Sequence, residues 1–166
     1  MRQVLLVVDV QAAFNPPDQL VDGIRALAKR MPSVATVERH DENRTPFERQ
    51  LGWHPPSEDH SLIDADRVFI KHGYLPPREA IEYLVSLKPQ RVLVCGVQTE
   101  TCVLAAGYVL FDAGLMPTLV TDLTLGSSLD PTGGLGTRLW RHHFRNVTSV
   151  GELTEELQQR RQHLRP

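Results

Sequence analysis

Six short apolar runs place the strongest constraint on how this chain can fold. They are rich in β-branched residues, and polar residues do not alternate along them. They cover residues 4–8, 34–37, 68–70, 92–95, 118–121 and 147–150. Strands that are covered on both faces have this continuous pattern, which is typical of parallel sheets.

Segments with apolar residues at helical spacing lie between these runs, and they predict helices. One ends before Pro89 and another ends at Gly114, a residue suited to the left-handed position after a helix. The predicted helices cover residues 19–31, 78–87, 101–113, 134–144 and 151–163. This strand–helix alternation predicts a doubly wound α/β domain with helices on both faces of a parallel sheet.

Residues 39–66 break the alternation, because they are polar, contain prolines and have weak periodicity. A long insertion in a compact domain is more often a functional loop than a structural accident.

Length and composition exclude several classes of protein. The 166 residues are most simply one domain, 1–166, with enough chain to bury a core. A formal net charge of −2 argues against binding to nucleic acid or to an acidic membrane surface. The apolar runs are too short to span a bilayer, and the N-terminal run reads as a strand. Two cysteines do not make a disulfide framework, so we expect free thiols and a cytoplasmic location.

Polar residues at the ends of the predicted strands are the candidates for chemistry, because ligands of open parallel sheets bind at the carboxyl ends of strands. Asp9 and Gln11 follow the first strand, Lys71 ends the third, and Asp122 ends the fifth. Cys102 follows the fourth strand, in the segment "CGVQTETCVL". A carboxylate, an ammonium and a thiol can therefore converge on one point.

Each of these three residues also has a structural interpretation. Asp9 can satisfy backbone N–H groups in a turn, Lys71 can be solvated at a strand end, and Cys102 can be a small buried hydrophobe. Together they favour chemistry, since a nucleophilic thiol needs a positive environment and a base. Lys71 and a helix N-terminus would favour the thiolate, and Asp9 would carry the proton. Cys95 lies inside an apolar run and is predicted to be core.

The segments that contain these residues resemble the isochorismatase-like cysteine hydrolase family, which includes nicotinamidases and carbamoyl- and ureido-amide hydrolases. The matching segments are "VVDVQAAF", "FIKHGY", "VLVCGVQTETCVLAAGYVLFDAGL" and "PTLVTDLTLGSS", in the order of the family. They cover most of residues 4–128.

The resemblance implies a three-layer α/β/α domain with a six-stranded parallel sheet and no cofactor. It implies Asp9 as base, Lys71 as electrostatic partner and Cys102 as nucleophile. It also implies a cis peptide between Val97 and Gln98, with the N–H groups of Gln98 and Cys102 as an oxyanion hole. Cys102 favours acyl chemistry, through a thioester, on a small amide, carbamoyl or ureido compound, because isochorismatases proper lack this cysteine.

Nicotinamidases of this family have an Asp-x-His…His metal site, and the similar segment of this sequence is "GWHPPSEDH". Gly52 stands where the metal-binding Asp would be, which leaves His54 and His60 without a carboxylate. Two histidines alone make a poor divalent-metal site, so we predict that no metal binds and that nicotinamide is an unfavourable substrate.

Four further residues are candidates for substrate binding. Phe14, Trp53 and Tyr74 are predicted either to line the pocket or to pack in the core. Gln11 is predicted either to orient Asp9 or the substrate, or to cap its own loop.

Two other function classes compete with the hydrolase. A catalytically silent relative could act as a binding or assembly module. A nucleotide-dependent oxidoreductase is disfavoured because no Gly-x-Gly-x-x-Gly follows the first strand. The resemblance also implies a homo-oligomer.

Overall fold

A computed structural model describes the backbone of residues 2–163 and the side chains of residues 2–159. Its centre is a six-stranded sheet in which every pairing is parallel and the strand order is β3-β2-β1-β4-β5-β6. The strands are β1 (Gln3–Val8), β2 (Ser33–Glu38), β3 (Arg67–Lys71), β4 (Arg91–Val97), β5 (Pro117–Leu125) and β6 (Val147–Thr148). The predicted doubly wound α/β fold with six parallel strands is confirmed.

Within residues 2–163, six α-helices connect and cover the strands. They are α1 (Asp18–Ala28), α2 (Phe47–Leu51), α3 (Arg78–Ser86), α4 (Leu104–Asp112), α5 (Gly134–Phe144) and α6 (Val150–His163). A short 3₁₀ turn, Ala12–Phe14, follows β1, and a π-helical turn, Thr99–Val103, precedes α4. None of the helices in residues 2–163 combines the length and the apolar character that a membrane span requires.

The apolar runs form strands with two buried faces because helices pack on both sides of the sheet. Along β1, Val4, Leu6 and Val8 point into one apolar cluster, whereas Leu5 and Val7 point into the other. The first cluster includes buried residues of α3, α4 and α5, and the second includes buried residues of α1 and α6. This three-layer arrangement explains why polar residues do not alternate along the strands.

The strand order reverses direction on either side of β1, between its neighbours β2 and β4. Such a switch point opens a crevice at the carboxyl ends of the strands, where ligands of doubly wound folds bind. The ends of β1 to β4 therefore define the place where a site can form.

Gly96 allows β1 and β4 to approach each other at this point. It pairs with Val8 and has a φ of +112°. A Cβ atom built on Gly96 would lie 2.1 Å from the Val8 carbonyl oxygen. Only glycine satisfies both the backbone angle and the contact.

The structure departs from the sequence-based expectations in three elements. β5 continues past residue 121 to Leu125, because a register shift against β4 lets the strand extend along its neighbour. β6 has only two residues. The segment 39–66 contains the helix α2, which the weak periodicity did not predict.

Candidate active site

Asp9 is the first residue after β1, and its side chain is fully buried. Its backbone has a φ of +52°, a left-handed conformation that Asp tolerates better than most residues. Oδ1 accepts a hydrogen bond of 2.7 Å from the Thr36 hydroxyl on the neighbouring strand. Oδ2 lies 2.8 Å from Lys71 Nζ, but within residues 2–163 no hydrogen bond is directed at it.

Lys71 ends β3, and the sheet brings its ammonium to Asp9 although β2 lies between their strands. Its side chain is 1% exposed. The ammonium donates to Glu38 Oε2 at 2.5 Å, to the carbonyl of Gly73, and to Cys102 Sγ at 3.3 Å. An ammonium has three protons. Asp9 Oδ2, at 2.8 Å, is a fourth neighbour of the same ammonium, so four acceptors share three protons.

Glu38 is a member of this cluster that the sequence analysis missed. It is the last residue of β2 and is in register with Lys71 on β3. Its side chain is 3% exposed, and Oε1 is buried without a hydrogen-bond donor among the described residues. The available signal was its spacing from Thr36, since residues two apart on a strand point to the same face.

Cys102 lies in the π-helical turn, two residues before α4 begins. The peptide between Val97 and Gln98 is cis, as the resemblance implied. The backbone N–H groups of Thr101 and Val103 both donate to the Gln98 carbonyl, at 3.0 and 3.2 Å. These bonds fold the turn tightly around the sulfur.

Two neighbouring elements hold this turn against the sheet. The Thr99 hydroxyl hydrogen-bonds to that of Thr124 on β5 at 2.8 Å, and Glu100 Oε1 accepts from the Ser127 N–H at 2.8 Å. Helix α5 approaches the turn at Gly136, where a Cβ atom would lie 2.6 Å from the Glu100 nitrogen. The position of Cys102 therefore depends on close packing from α5 and β5.

The charge balance around the sulfur differs from the sequence-based expectation. Burial and, next, the charge of Asp9 together raise the pKa of the Cys102 thiol to about 12, although Lys71 acts in the opposite direction. The expected stabilisation of a thiolate is therefore wrong for the resting site. The main physical reason is that burial disfavours the charged thiolate, and a second one is that the Lys71 ammonium is shared with the carboxylates of Asp9 and Glu38.

The other two titrating groups also favour their protonated forms. Burial raises the pKa of Glu38 to about 7, although Lys71 lowers it. Burial acts to lower the pKa of Lys71, but the charges of Asp9, Cys102 and Glu38 outweigh it, and the pKa is raised. Lys71 therefore stays an ammonium at neutral pH, while Glu38 is the group that titrates there.

A cavity of about 520 Å³ opens above Cys102. Its polar lining comes from Glu38, Gln98, Thr101, Cys102, Ser127 and Ser128. Its aromatic lining comes from Phe14, Phe47, Trp53 and Tyr74. An apolar pocket with a few convergent polar groups is typical of small-molecule sites.

The aromatic residues predicted as pocket walls, Phe14, Trp53 and Tyr74, all line this cavity. Sequence analysis missed Phe47, the buried residue of α2, whose ring centroid lies 5.6 Å from that of Trp53 and 5.9 Å from that of Tyr74. The 39–66 segment thus contributes both Phe47 and Trp53 to the wall.

Gln11 is not among the lining residues, and its substrate-binding interpretation has no support in the structure. Its side chain is fully buried, and its amide bonds the Glu38 backbone in both directions, at 2.9 and 2.8 Å. The same amide donates to Asp59 Oδ2 at 3.0 Å. Gln11 therefore fastens the end of β2 and the 39–66 segment to the turn after β1.

Asp122 is a second residue that the structure places away from the predicted site. Because β5 continues to Leu125, Asp122 lies inside the strand and not at its end. Both of its carboxylate oxygens accept the Val150 N–H at 3.0 Å. Its role is to cap α6.

The histidines of the 39–66 segment do not form a metal centre in the described part of the chain. The ring of His54 stacks on His40 at 4.1 Å, and His60 contacts Asp59 at 3.8 Å. In residues 2–163, one group of three potential ligands lies within 4.8 Å, and it consists of Asp9, Glu38 and Cys102. The Lys71 ammonium already lies among these three, so the residues present do not fit a metal ion.

Structural neighbours support this description of the fold. A pyrazinamidase of Pyrococcus horikoshii in complex with zinc has a TM-score of 0.76 at 20% identity, covering 90% of this chain and 100% of that one. The N-carbamoylsarcosine amidase of Thermoplasma acidophilum has a TM-score of 0.74 at 19% identity, covering 90% and 96%. A nicotinamidase of Acinetobacter baumanii has a TM-score of 0.75 at 19% identity, covering 92% and 98%. No curated protein matches the sequence significantly.

Sequence comparison with protein families gives a more specific result than these neighbours, whose low identities establish the fold alone. The model of the Isochorismatase domain matches residues 3–152, which is most of the chain. The matched range contains the cluster of Asp9, Lys71 and Cys102 and every strand of the sheet. This chain therefore belongs to the Isochorismatase domain family.

Proposed function

We propose that this chain is a cofactor-free cysteine hydrolase that cleaves a non-peptide C–N bond of a small amide, carbamoyl or ureido compound. The observation that carries the proposal is the convergence of Asp9, Lys71 and Cys102 on one point below a cavity of about 520 Å³. A nucleophile within reach of a base, with a third group that orients it, is the general signature of covalent catalysis.

In the proposed first step, Asp9 takes the proton of the Cys102 thiol while the sulfur attacks the substrate carbonyl carbon. A carboxylate oxygen of Asp9 lies within 4.8 Å of Sγ, and Oδ2 has no directed hydrogen bond. Because the thiol is protonated at rest, proton transfer must accompany the attack. Lys71 stabilises the sulfur charge that develops.

The carbonyl oxygen then becomes an oxyanion, for which we assign the N–H groups of Gln98 and Cys102. Both residues line the cavity, and the folded turn keeps them adjacent. Protonated Asp9 returns its proton to the departing nitrogen, the C–N bond breaks, and a Cys102 thioester remains. Water then attacks the thioester, its proton passes through Asp9 to the sulfur, and the acid product leaves.

The proposed oxyanion hole uses fixed backbone dipoles. Removing one such donor from a hydrolase typically costs about 100-fold to 1000-fold in kcat. Backbone donors cannot be removed by a side-chain change, so the nucleophile itself is the practical target for a test.

The direct test measures ammonia release from primary amides and carbamoyl compounds, with the protein and its Cys102→Ser variant side by side. Turnover that disappears in Cys102→Ser, together with a trapped acyl-enzyme in intact-mass spectra of the parent, is the expected result. Equal turnover in both proteins would refute the nucleophile.

The second candidate is a catalytically silent binding module, which the elevated pKa of the Cys102 thiol favours. It predicts ligands that raise the unfolding temperature of the protein, with the logarithm of their concentration above the dissociation constant, without being consumed. Detection of product from any of these ligands would exclude this second candidate.

We also propose a homo-oligomer in the cytoplasm. The apolar side chains of Leu51, Trp53 and Tyr74 are about half exposed near the cavity, and Cys95 and Cys102 are both free thiols. Light scattering coupled to gel filtration tests the first point, and a monomer across the micromolar range would contradict it.

A further inference from the structure

Glu38 is the only residue with an ionisable carboxyl among the described residues that line the cavity, and none of the others has a cationic side chain. It is also nine-tenths buried or more, and its Oε1 is a hydrogen-bond acceptor without a donor within residues 2–163. An unsatisfied buried acceptor costs free energy until a partner arrives. Above about pH 7, where Glu38 is ionised, the cavity wall therefore contains a buried carboxylate oxygen that receives no hydrogen bond from the described residues.

A second carboxylate, that of Asp9, contacts the same Lys71 ammonium as Glu38 but does not line the cavity. Lys71 contacts Asp9 Oδ2 at 2.8 Å and Glu38 Oε2 at 2.5 Å, so its single positive charge is divided between two carboxylates. When both are ionised, the cluster has a net charge of one negative unit. A ligand that brings a further carboxylate to this wall would be repelled, whereas N–H donors and cations would be attracted.

The remaining walls agree with this preference. The aromatic rings of Phe14, Phe47, Trp53 and Tyr74 accept apolar groups and cations, but they offer nothing to neutralise an anion. Ser127 and Ser128 are neutral. No positive charge on another described lining residue therefore balances the negative charge of the Glu38 carboxylate.

We infer that the substrate is an uncharged or cationic compound with an N–H donor beside its scissile carbonyl, and that Glu38 is the residue that accepts this donor and excludes carboxylates. This inference rests on the proposed function, because it concerns the substrate of the same site. It narrows the amide, carbamoyl and ureido compounds to those that lack an acidic group near the reacting carbonyl.

The test uses alkylation of Cys102, which needs no turnover. Iodoacetamide and iodoacetate are similar in size, but the first is neutral with an N–H donor and the second is an anion without one. Both react with the same thiolate, so the ratio of their rate constants does not depend on how much thiolate is present. Peptide mapping separates Cys102 from Cys95, which is fully buried.

At about pH 8.5 the ratio of iodoacetamide to iodoacetate rates should exceed that of 2-mercaptoethanol, a thiol without a carboxylate, on the order of ten-fold, because a nearby negative charge repels the anion. Glu38→Gln keeps the side-chain shape and removes the charge, so most of this ten-fold excess in the rate ratio should disappear in the variant. Glu42→Gln is the matched control, since Glu42 lies four residues after Glu38 and does not line the cavity. It should leave the ratio unchanged.

A ratio in Glu38→Gln equal to that of the parent protein would overturn the assignment. Should that variant fail to fold, 2-bromoethylamine provides a second measurement on the parent alone. After normalisation to 2-mercaptoethanol, the cation and the neutral reagent should both react faster than the anion, and the reverse order would refute the inference. Failure of the proposed function shows differently, as absence of turnover on every amide with the alkylation ratio intact.

Discussion

The stability of this protein should depend on the proton of Glu38. The folded chain holds the pKa of this carboxyl at about 7, against 4.5 in its ordinary state, because burial outweighs the attraction of Lys71. A raised pKa means that protonation favours the folded state. The corresponding stability is fully present below about pH 4.5 and is lost as the pH rises through about 7.

The size of the effect follows from the shift. At 1.36 kcal/mol per pKa unit, ionised Glu38 destabilises the fold by about 3 kcal/mol above pH 8 relative to its protonated form. Between about pH 5 and pH 8 the change amounts to about 2.5 kcal/mol. Glu38→Gln cannot ionise, so its stability relative to the parent protein should increase by this amount over the same interval.

Any constant loss from the missing contact with Lys71 cancels in this comparison. Lys71 remains an ammonium throughout the interval, because its pKa is raised. The difference between the two proteins therefore reports the ionisation of Glu38.

Urea unfolding followed by tryptophan fluorescence measures this difference at the two pH values, at one fixed protein concentration. Glu42→Gln is the control, because the pKa of Glu42 is lowered from 4.5 by hydrogen bonds from Glu48 and Arg49, despite the opposing effect of burial. Its contribution is lost only below the interval. A free-energy difference between Glu38→Gln and the parent protein that stays constant from pH 5 to pH 8 would show that Glu38 ionises normally and would refute the reasoning.

Three further predictions follow from the site. Gly96→Ala should destabilise the protein by about 4 kcal/mol or more, since its Cβ would lie 2.1 Å from the Val8 carbonyl oxygen. Gly114→Ala, whose Cβ would have no atom within 4 Å, should cost only about 1 kcal/mol. Urea unfolding measures both losses. Lys71→Met should leave two buried carboxylates without a cation and lower stability by about 3–5 kcal/mol at pH 8, with a smaller loss at pH 5; an equal loss at both would contradict it. The alkylation rate of Cys102 should climb up to about pH 10 without a plateau, because its thiol pKa is raised to about 12, and a plateau below pH 8 would contradict that pKa.

Much of the fold could be predicted from the sequence because the signal is local. Apolar β-branched runs predicted all six strands, although β6 has only two residues, and a helix was predicted near residues 134–144, where α5 lies. The same reasoning located Asp9, Lys71 and Cys102 at strand ends, which a parallel sheet brings to one edge.

What the sequence could not reveal depends on contacts between distant segments. The predicted strand ends at residue 37 and the predicted polar segment begins at residue 39, so Glu38 belongs to neither of them. Its membership of the site depends on the register that pairs it with Lys71. Gln11 looked free to meet a substrate, but its amide is used by Glu38 and Asp59, which come 27 and 48 residues later.

The direction of the pKa shift of the Cys102 thiol shows most clearly that residue types alone do not predict the protonation state of a site. One lysine beside one cysteine predicts a thiolate, whereas a buried cysteine whose lysine is shared with two carboxylates is predicted to be a thiol, with burial as the largest cause. Within the proposed mechanism, a protonated thiol is not a silent one, because Asp9 Oδ2 lies in the cluster without a directed hydrogen bond and can take the proton during attack. A substrate N–H on Glu38 would neutralise part of the excess negative charge and lower the pKa of the thiol at the moment of binding. Activation would then belong to the complex with substrate, and slow labelling of the empty site would be its natural consequence.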